Sequence, residues 1–163
     1  MLGLSVGAFT TLHVLISLVA ILAGLAVVAE MLRSRFPAAL TGVFLATTVA
    51  TSATGFLFHS KSIGPPHVVG AISLVVLAVA LFAIYVRKLA GPWRRVYVGA
   101  AVLALYLNAF VGVVQAFAKL APLKSLAPTQ TEPPFLVAQV AVLLLFVVLG
   151  VLSATRPRPL LAV

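Results

Sequence analysis

The sequence predicts an all-α, polytopic transmembrane bundle of five helices, and three observations carry that prediction. Of the 163 residues, 63% are hydrophobic and 8% charged, more apolar surface than a soluble domain of this length can bury. The apolar residues fall into charge-free runs of about twenty residues, the length that crosses a hydrocarbon core of about 30 Å at about 1.5 Å per residue. These runs lack the period-two alternation of barrel strands. Backbone groups in lipid must pair within their own segment, so each run is read as a helix.

The first span, Phe9–Ala29, has no Lys or Arg before it, so the n-region of a secretory signal peptide is missing and the span is expected to be retained. One face of it carries His13, Ser17, Ala20 and Gly24. The second span, Ala38–Phe58, carries Gly42, Ala46, Ala50 and Thr54 at four-residue spacing, the small-residue pattern that lets helices approach in lipid. It also carries a polar stripe of Thr41, Thr48, Ser52, Gly55 and His59. The third span, Pro66–Val86, opens on GPPHVVG. The fourth, Val96–Phe117, repeats the small stripe as Ala100, Ala104, Asn108 and Gly112, with Gln115 on the same face. The second and fourth spans are therefore expected at the centre. The fifth, Pro134–Ser153, has no such stripe and is expected to be the most lipid-exposed.

Spans three and five both open on Pro-Pro, which suits a first helical turn whose N–H groups need no partner. The shared opening is compatible with a duplicated two-helix unit with the first helix added, but beyond the prolines the similarity is what two Val/Leu-rich helices show by chance. The connections RSRFP, HSKSIGP and RKLAGPWRR are short, which makes sequential helices antiparallel neighbours. The chain reads as one integral membrane domain over residues 1–163, including an outer loop over 118–133 and a cytoplasmic tail over 154–163.

The formal net charge is +9, and its distribution argues against nucleic acid as a partner. Arg33, Arg35, Arg87, Lys88, Arg94, Arg95, Arg156 and Arg158 fall on one side of the bundle; Lys61, Lys119 and Lys124 fall on the other. The positive-inside rule then puts the amino terminus outside and the carboxyl terminus in the cytoplasm, with Trp93 and Tyr97 in the inner interfacial belt. The lipid bilayer, including its anionic headgroups, is the expected environment. The absence of cysteine excludes disulfides, thiolate nucleophiles and iron–sulfur ligation.

Intramembrane polar groups are costly unless paired, so they should face the bundle interior. Thr48, Ser52, Asn108, Gln115 and Gln139 are expected there. Counting from the charged ends at about 1.5 Å per residue puts His13 about 25 Å, His59 about 33 Å and Gln115 about 30 Å along their helices. His67 and Gln139 open the third and fifth spans, so an outer polar layer is expected, with Lys61 and Glu132 just above it.

That layer has two readings. In one, the histidines and glutamines hold helices together, Glu132 faces the positive end of the fifth helix dipole, and HSKSIGPPH is ordinary turn chemistry. In the other, His13 and His67 ligate haem b, or His13, His59, His67 and Glu132 bind a divalent metal, since imidazole serves both. Two haems would require four histidines, and the chain has three.

No acid or base lies near the bilayer midplane, which removes a proton relay. Phosphate-binding, nucleotide-binding, HExxH and GxSxG motifs are missing. Ser52 and His59, seven residues apart on one helix, are too distant for a dyad. The balance therefore leans away from an enzyme. The expectation is a protein acting by helix packing, as an oligomer or as an accessory subunit of a membrane complex. The alternatives are a haem- or metal-binding redox protein, and a pathway for a small molecule or lipid lined by Thr48, Ser52, Asn108 and Gln115.

The segments APTQTEPPFLVAQ (Ala127–Gln139) and TGFLFHSKSIGPPHVVG resemble small multi-spanning bacterial inner-membrane proteins. That resemblance implies a bacterial cytoplasmic-membrane location. It implies no activity and no catalytic residue.

Overall fold

The computed structural model describes residues 5–58 and 64–156. They form α1 (Val6–Leu32), α2 (Ala38–Gly55), α3 (Pro65–Leu81, continued by a π-turn over Phe82–Val86), α4 (Trp93–Lys119), α5 (Ala121–Leu126) and α6 (Pro133–Thr155). There is no strand among the described residues. All but α5 are long and apolar enough to cross a membrane, and the chain is a multi-pass α-helical membrane protein.

The expected spans match five of these helices, with shifted ends. Hydropathy marks the lipid-immersed part of a helix, whereas the hydrogen-bond ladder runs on into the interface. Thus α1 begins where the Ser5 hydroxyl accepts the Ala8 N–H at 3.2 Å. It ends on left-handed Ser34 (φ 58°), with the Arg35 N–H returning to the Glu30 carbonyl at 2.8 Å. By contrast α2 stops at Gly55, short of Phe58, because the N–H groups of Phe56 and Leu57 fold back onto Ala53 and Thr54 in a tighter turn. Phe56, Leu57 and Phe58 are as apolar as the helix before them, so composition hides that stop. The loop between α4 and α6 contains α5, whose six residues are too few to show a period.

Helices α1, α2, α3 and α4 pack in a ring, each against the next and α4 back against α1. Helix α6 lies outside the ring against α4 and α1. Spans that follow one another in the chain are antiparallel. The Phe9 and Phe58 rings meet at 5.0 Å and those of Phe117 and Phe135 at 5.4 Å, while Arg94 at the start of α4 reaches the end of α6. Seven described cations, Arg33, Arg35, Arg87, Lys88, Arg94, Arg95 and Arg156, therefore share one end, here the basic end. There Glu30 pairs with Arg33 at 2.8 Å and with Arg35 at 3.6 Å.

Helix α4 touches all four other spans and is central, and α6 is the least covered, with Phe146 and Ser153 its buried residues. The expectation for α2 is corrected. Ala46 is exposed, and a Cβ added at Gly42 would meet nothing within 4 Å. The buried face of α2 is Thr41, Phe44, Leu45, Thr48, Thr51 and Ser52. The close approach is made by Gly24 of α1 instead, where an added Cβ would lie 2.6 Å from Leu105 Cδ1 and 2.8 Å from Phe44 Cε2. One glycine suffices for that contact, and the large side chains of the two partners fill the space with dispersion contacts.

Candidate functional site

The bundle interior differs along its axis. Its apolar core lies toward the basic end and includes Val27, Phe44, Leu77, Ala101 and Leu105. Toward the opposite end the interior holds buried Thr48, Thr51 and Ser52 on α2, Ser73 on α3 and Asn108 on α4. Farther along, His13 and Ser17 of α1 and Thr54 of α2 are half-buried.

His13 is held from several sides. Its Nδ1 lies 2.8 Å from Thr54 Oγ1, its ring meets Phe58 edge-on at 5.1 Å, and Ser17 donates to its carbonyl at 2.7 Å. The Thr54 hydroxyl already donates to the Ala50 carbonyl at 2.7 Å. With that proton committed, Nδ1 of His13 is assigned as the donor, which leaves Nε2 as the bare nitrogen of a neutral ring.

His67 sits in the first turn of α3, where its Nδ1 accepts the Gly64 N–H at 3.2 Å and its ring lies 5.9 Å from Phe56. His13 and His67 thus engage the end of α2 from α1 and α3 respectively, each against a different phenylalanine. No hydrogen bond or ring contact joins them.

Glu132 stands at the N-cap position of α6 and caps none of its N–H groups. Its Oε1 accepts the Thr129 N–H at 3.2 Å and the Thr129 hydroxyl at 2.8 Å, and its Oε2 accepts the Thr131 N–H at 3.1 Å. Desolvation pushes the carboxyl up, but the Thr129 hydroxyl and the N–H groups of Glu132, Thr129 and Thr131 outweigh it and hold the pKa below the usual carboxylate value.

His59, expected as a metal ligand, lies outside the described residues, as does Lys61. Among the described residues no three of His, Cys, Asp and Glu converge. His13, His67 and Glu132 each have separate local partners.

Of the residues expected inside, Thr48, Ser52 and Asn108 are buried. Thr48 donates to the Phe44 carbonyl at 2.7 Å, whereas Asn108 Nδ2 has no partner. Gln139 lies on the α4–α6 seam, donating to the Phe110 carbonyl at 3.3 Å, with its Oε1 buried and unpartnered. Gln115 departs from expectation and is exposed. It lies two turns beyond Asn108 on the same face of α4, and Gly112 between them is also exposed.

Thr54, Thr51, Ser73 and Gln130 also belong to this end of the molecule, and sequence reasoning gave none of them a polar role. Gln130, at φ 61°, donates to the Val114 carbonyl at 2.8 Å and ties the long loop to α4. For Thr54 a signal existed. It lies as many steps from Pro37 as His13 does from Glu30, 17 in each case (54 − 37 and 30 − 13), so equal depth pairs His13 with Thr54 before His59.

Fold and site define a polytopic α-helical membrane protein in which the buried polar side chains Thr48, Thr51, Ser52, Ser73 and Asn108 gather away from the basic end, where Thr41, Tyr97 and Ser153 are also buried. No family model matches the chain, and neither a curated protein nor a solved structure matches it.

Proposed function

We propose that the protein is a non-catalytic, five-span integral protein of a bacterial cytoplasmic membrane, a single domain over residues 1–163, acting by helix packing as an oligomer or as an accessory subunit of a membrane complex. The charge distribution supports an amino terminus outside and a basic, cytoplasmic carboxyl-terminal end. The resemblance of APTQTEPPFLVAQ to bacterial inner-membrane proteins supports the location.

One observation carries the packing role. The face that α2 turns away from its own bundle is built mostly of small side chains, with Ala39, Ala46 and Ala53 exposed, Ala50 half-buried and open space over Gly42, and Val43 its one large exposed residue. The lipid-facing sides of α1 and α6 are instead covered by leucine and valine, such as Leu22 and Leu144. In lipid there is no hydrophobic drive between helices, and a small-residue face is where another helix backbone can come close.

The cysteine-free chain makes the test direct. Ala46→Cys in native membranes is expected to give a disulfide-linked or cross-linker-linked product, and Leu144→Cys on α6 is not. The mass of the product separates a second copy from a different subunit. Gly42→Leu combined with Ala46→Leu should abolish it. A protein that runs as a lone monomer and yields no product from Ala46→Cys overturns this reading.

A further inference from the structure

The two halves of the interior meet at the Gly24 contact. There α1, α2 and α4 come together with Leu105 Cδ1 and Phe44 Cε2 occupying the place of a side chain. Below it, toward the basic end, lies the apolar cluster, with the Thr41, Tyr97 and Ser153 hydroxyls also buried there. One helical turn above it the chemistry changes: Thr48 follows Phe44 on α2, Asn108 follows Leu105 on α4, and Thr51 and Ser52 come within the next turn.

Asn108 is aimed into this region. On its own helix it lies between Leu105, which packs at Gly24, and Gly112, where an added Cβ would stand 3.7 Å from Ile21 of α1. Its amide therefore projects from the side of α4 that faces α1. It is 9% exposed and its Nδ2 has no hydrogen-bond partner; Thr51, also 9% exposed, has an unpartnered hydroxyl. Buried donors without partners are costly in a membrane interior and are met by ordered water or by a ligand. Orphaned hydroxyls at the basic end have a different setting. Thr41 and Tyr97 lie beside each other there, outside strict hydrogen-bond geometry, and Ser153 lies on α6, apart from the α1–α2–α4 contact.

Residues nearer the end of the bundle are less covered. Gly112 and Gln115 are exposed, and His13 and Thr54 are half-buried. The buried polar side chains of this half are Thr, Ser and Asn, with no charged side chain buried among the described residues.

We propose that this half of the bundle is a hydrated, one-ended vestibule, open at the His13 end and closed by the Gly24 contact, that binds a small uncharged solute bearing hydrogen-bond acceptors. Neutral lining excludes an ion as the preferred occupant, because nothing there offsets the desolvation of a charge. The amide of Asn108 and the hydroxyl of Thr51 supply donors to a carbonyl, ether or hydroxyl oxygen. The apolar core makes the vestibule a place of binding and not a path across the membrane. The inference is independent of the packing role, which rests on the opposite face of α2.

The test uses the full-length cysteine-free chain in sealed vesicles. Ser52→Cys and Ser73→Cys are near-isosteric replacements, and Ala101→Cys in the apolar core is the control. A membrane-impermeant thiol reagent added on the His13 side should modify Ser52→Cys about tenfold faster than Ala101→Cys, which reacts only through local opening. From the other side, neither should react. Glycerol, as a small uncharged probe, should slow modification of Ser52→Cys, whereas sucrose at equal osmolality should not, and Asn108→Leu or Asn108→Ala should abolish the protection.

Folding is checked by a monodisperse elution profile, with Thr51→Val as a second donor-deleting variant. If Ser52→Cys and Ser73→Cys are both inert in folded protein, the interior is dry and the proposal fails. Modification from both sides makes the region a continuous path and overturns the one-ended vestibule. Glycerol protection that is absent, or unchanged in the Asn108 and Thr51 variants, overturns the binding site.

Discussion

The Nδ1 of His13 lies 2.8 Å from the hydroxyl of Thr54 and joins α1 to α2 near the end opposite the arginines. Because the threonine proton is already bonded to the Ala50 carbonyl, the histidine carries its own proton on Nδ1. Thr54→Val leaves that donor without an acceptor and is expected to cost about 1–2 kcal/mol of stability, whereas Thr54→Ser should stay close to the parent. Thermal unfolding in detergent measures the loss. Nitrogen chemical shifts of labelled histidine check the tautomer, and a ring protonated on Nε2 would refute the assignment.

Gly24 is the position where a methyl group matters most. The atoms it would strike belong to Phe44 and Leu105, which are 1% and 0% exposed and have no free space to move into. Gly24→Ala should destabilise the protein by about 1–3 kcal/mol. Gly99→Ala on α4, where an added Cβ meets nothing within 4 Å, should be neutral or stabilising by up to about 1 kcal/mol. Comparable losses at both sites would show that the α1–α2–α4 contact is looser than described.

Glu132 makes the 129–132 turn sensitive to acid. Its folded pKa is lowered, so its stabilising contribution is fully present above the unfolded carboxyl value and is lost as pH falls through the folded value, below the ordinary 4.5. Hydrogen exchange at the Thr129 and Thr131 amides should accelerate across that range beyond the intrinsic pH dependence. Glu132→Gln should show fast exchange at neutral pH and no such acid transition. A transition that persists in that variant would assign the effect to another group.

Arg94 fastens the least covered helix. Its guanidinium reaches the Ser153 and Ala154 carbonyls, both at 3.3 Å, across the start of α4 and the end of α6. Arg94→Gln is expected to cost about 1 kcal/mol and to loosen the last turn of α6. Arg94→Lys should restore part of this, since lysine keeps the charge without the two-pronged donor geometry. Exchange of the α6 C-terminal amides in detergent distinguishes the variants, and unchanged exchange in Arg94→Gln would remove the fastening role.

Depth along a helix was legible in the sequence, and direction around it much less so. Counting residues from the charged ends assigns His13 and Gln115 to the same end of the bundle, but Gln115 turns out to be exposed, while Phe117 two residues on is buried against α6. The small-residue stripe of α4 is buried as far as Asn108, while Gly42 and Ala46 of the similar stripe of α2 face away from the bundle. Four-residue spacing says that residues share a face; it does not say which neighbour that face meets. Glu132 was placed correctly at the start of α6, yet its carboxylate serves the preceding turn, a choice made by the path of the loop.

What the sequence by itself determined was the class of molecule: five apolar helices of membrane-crossing length, antiparallel through short connections, with seven described basic residues at one end. Those properties follow from transfer free energy and helix rise, which are sums along the chain. Only the tertiary structure decided that Gly24 and not Gly42 is the site of closest approach, that His13 meets Thr54, and that Thr51, Ser73 and Asn108 are buried together with Thr48 and Ser52 away from the basic end. These depend on how each helix is rotated about its axis. In lipid that rotation is set by the fit of individual side chains, because the apolar faces gain equally from lipid and from protein.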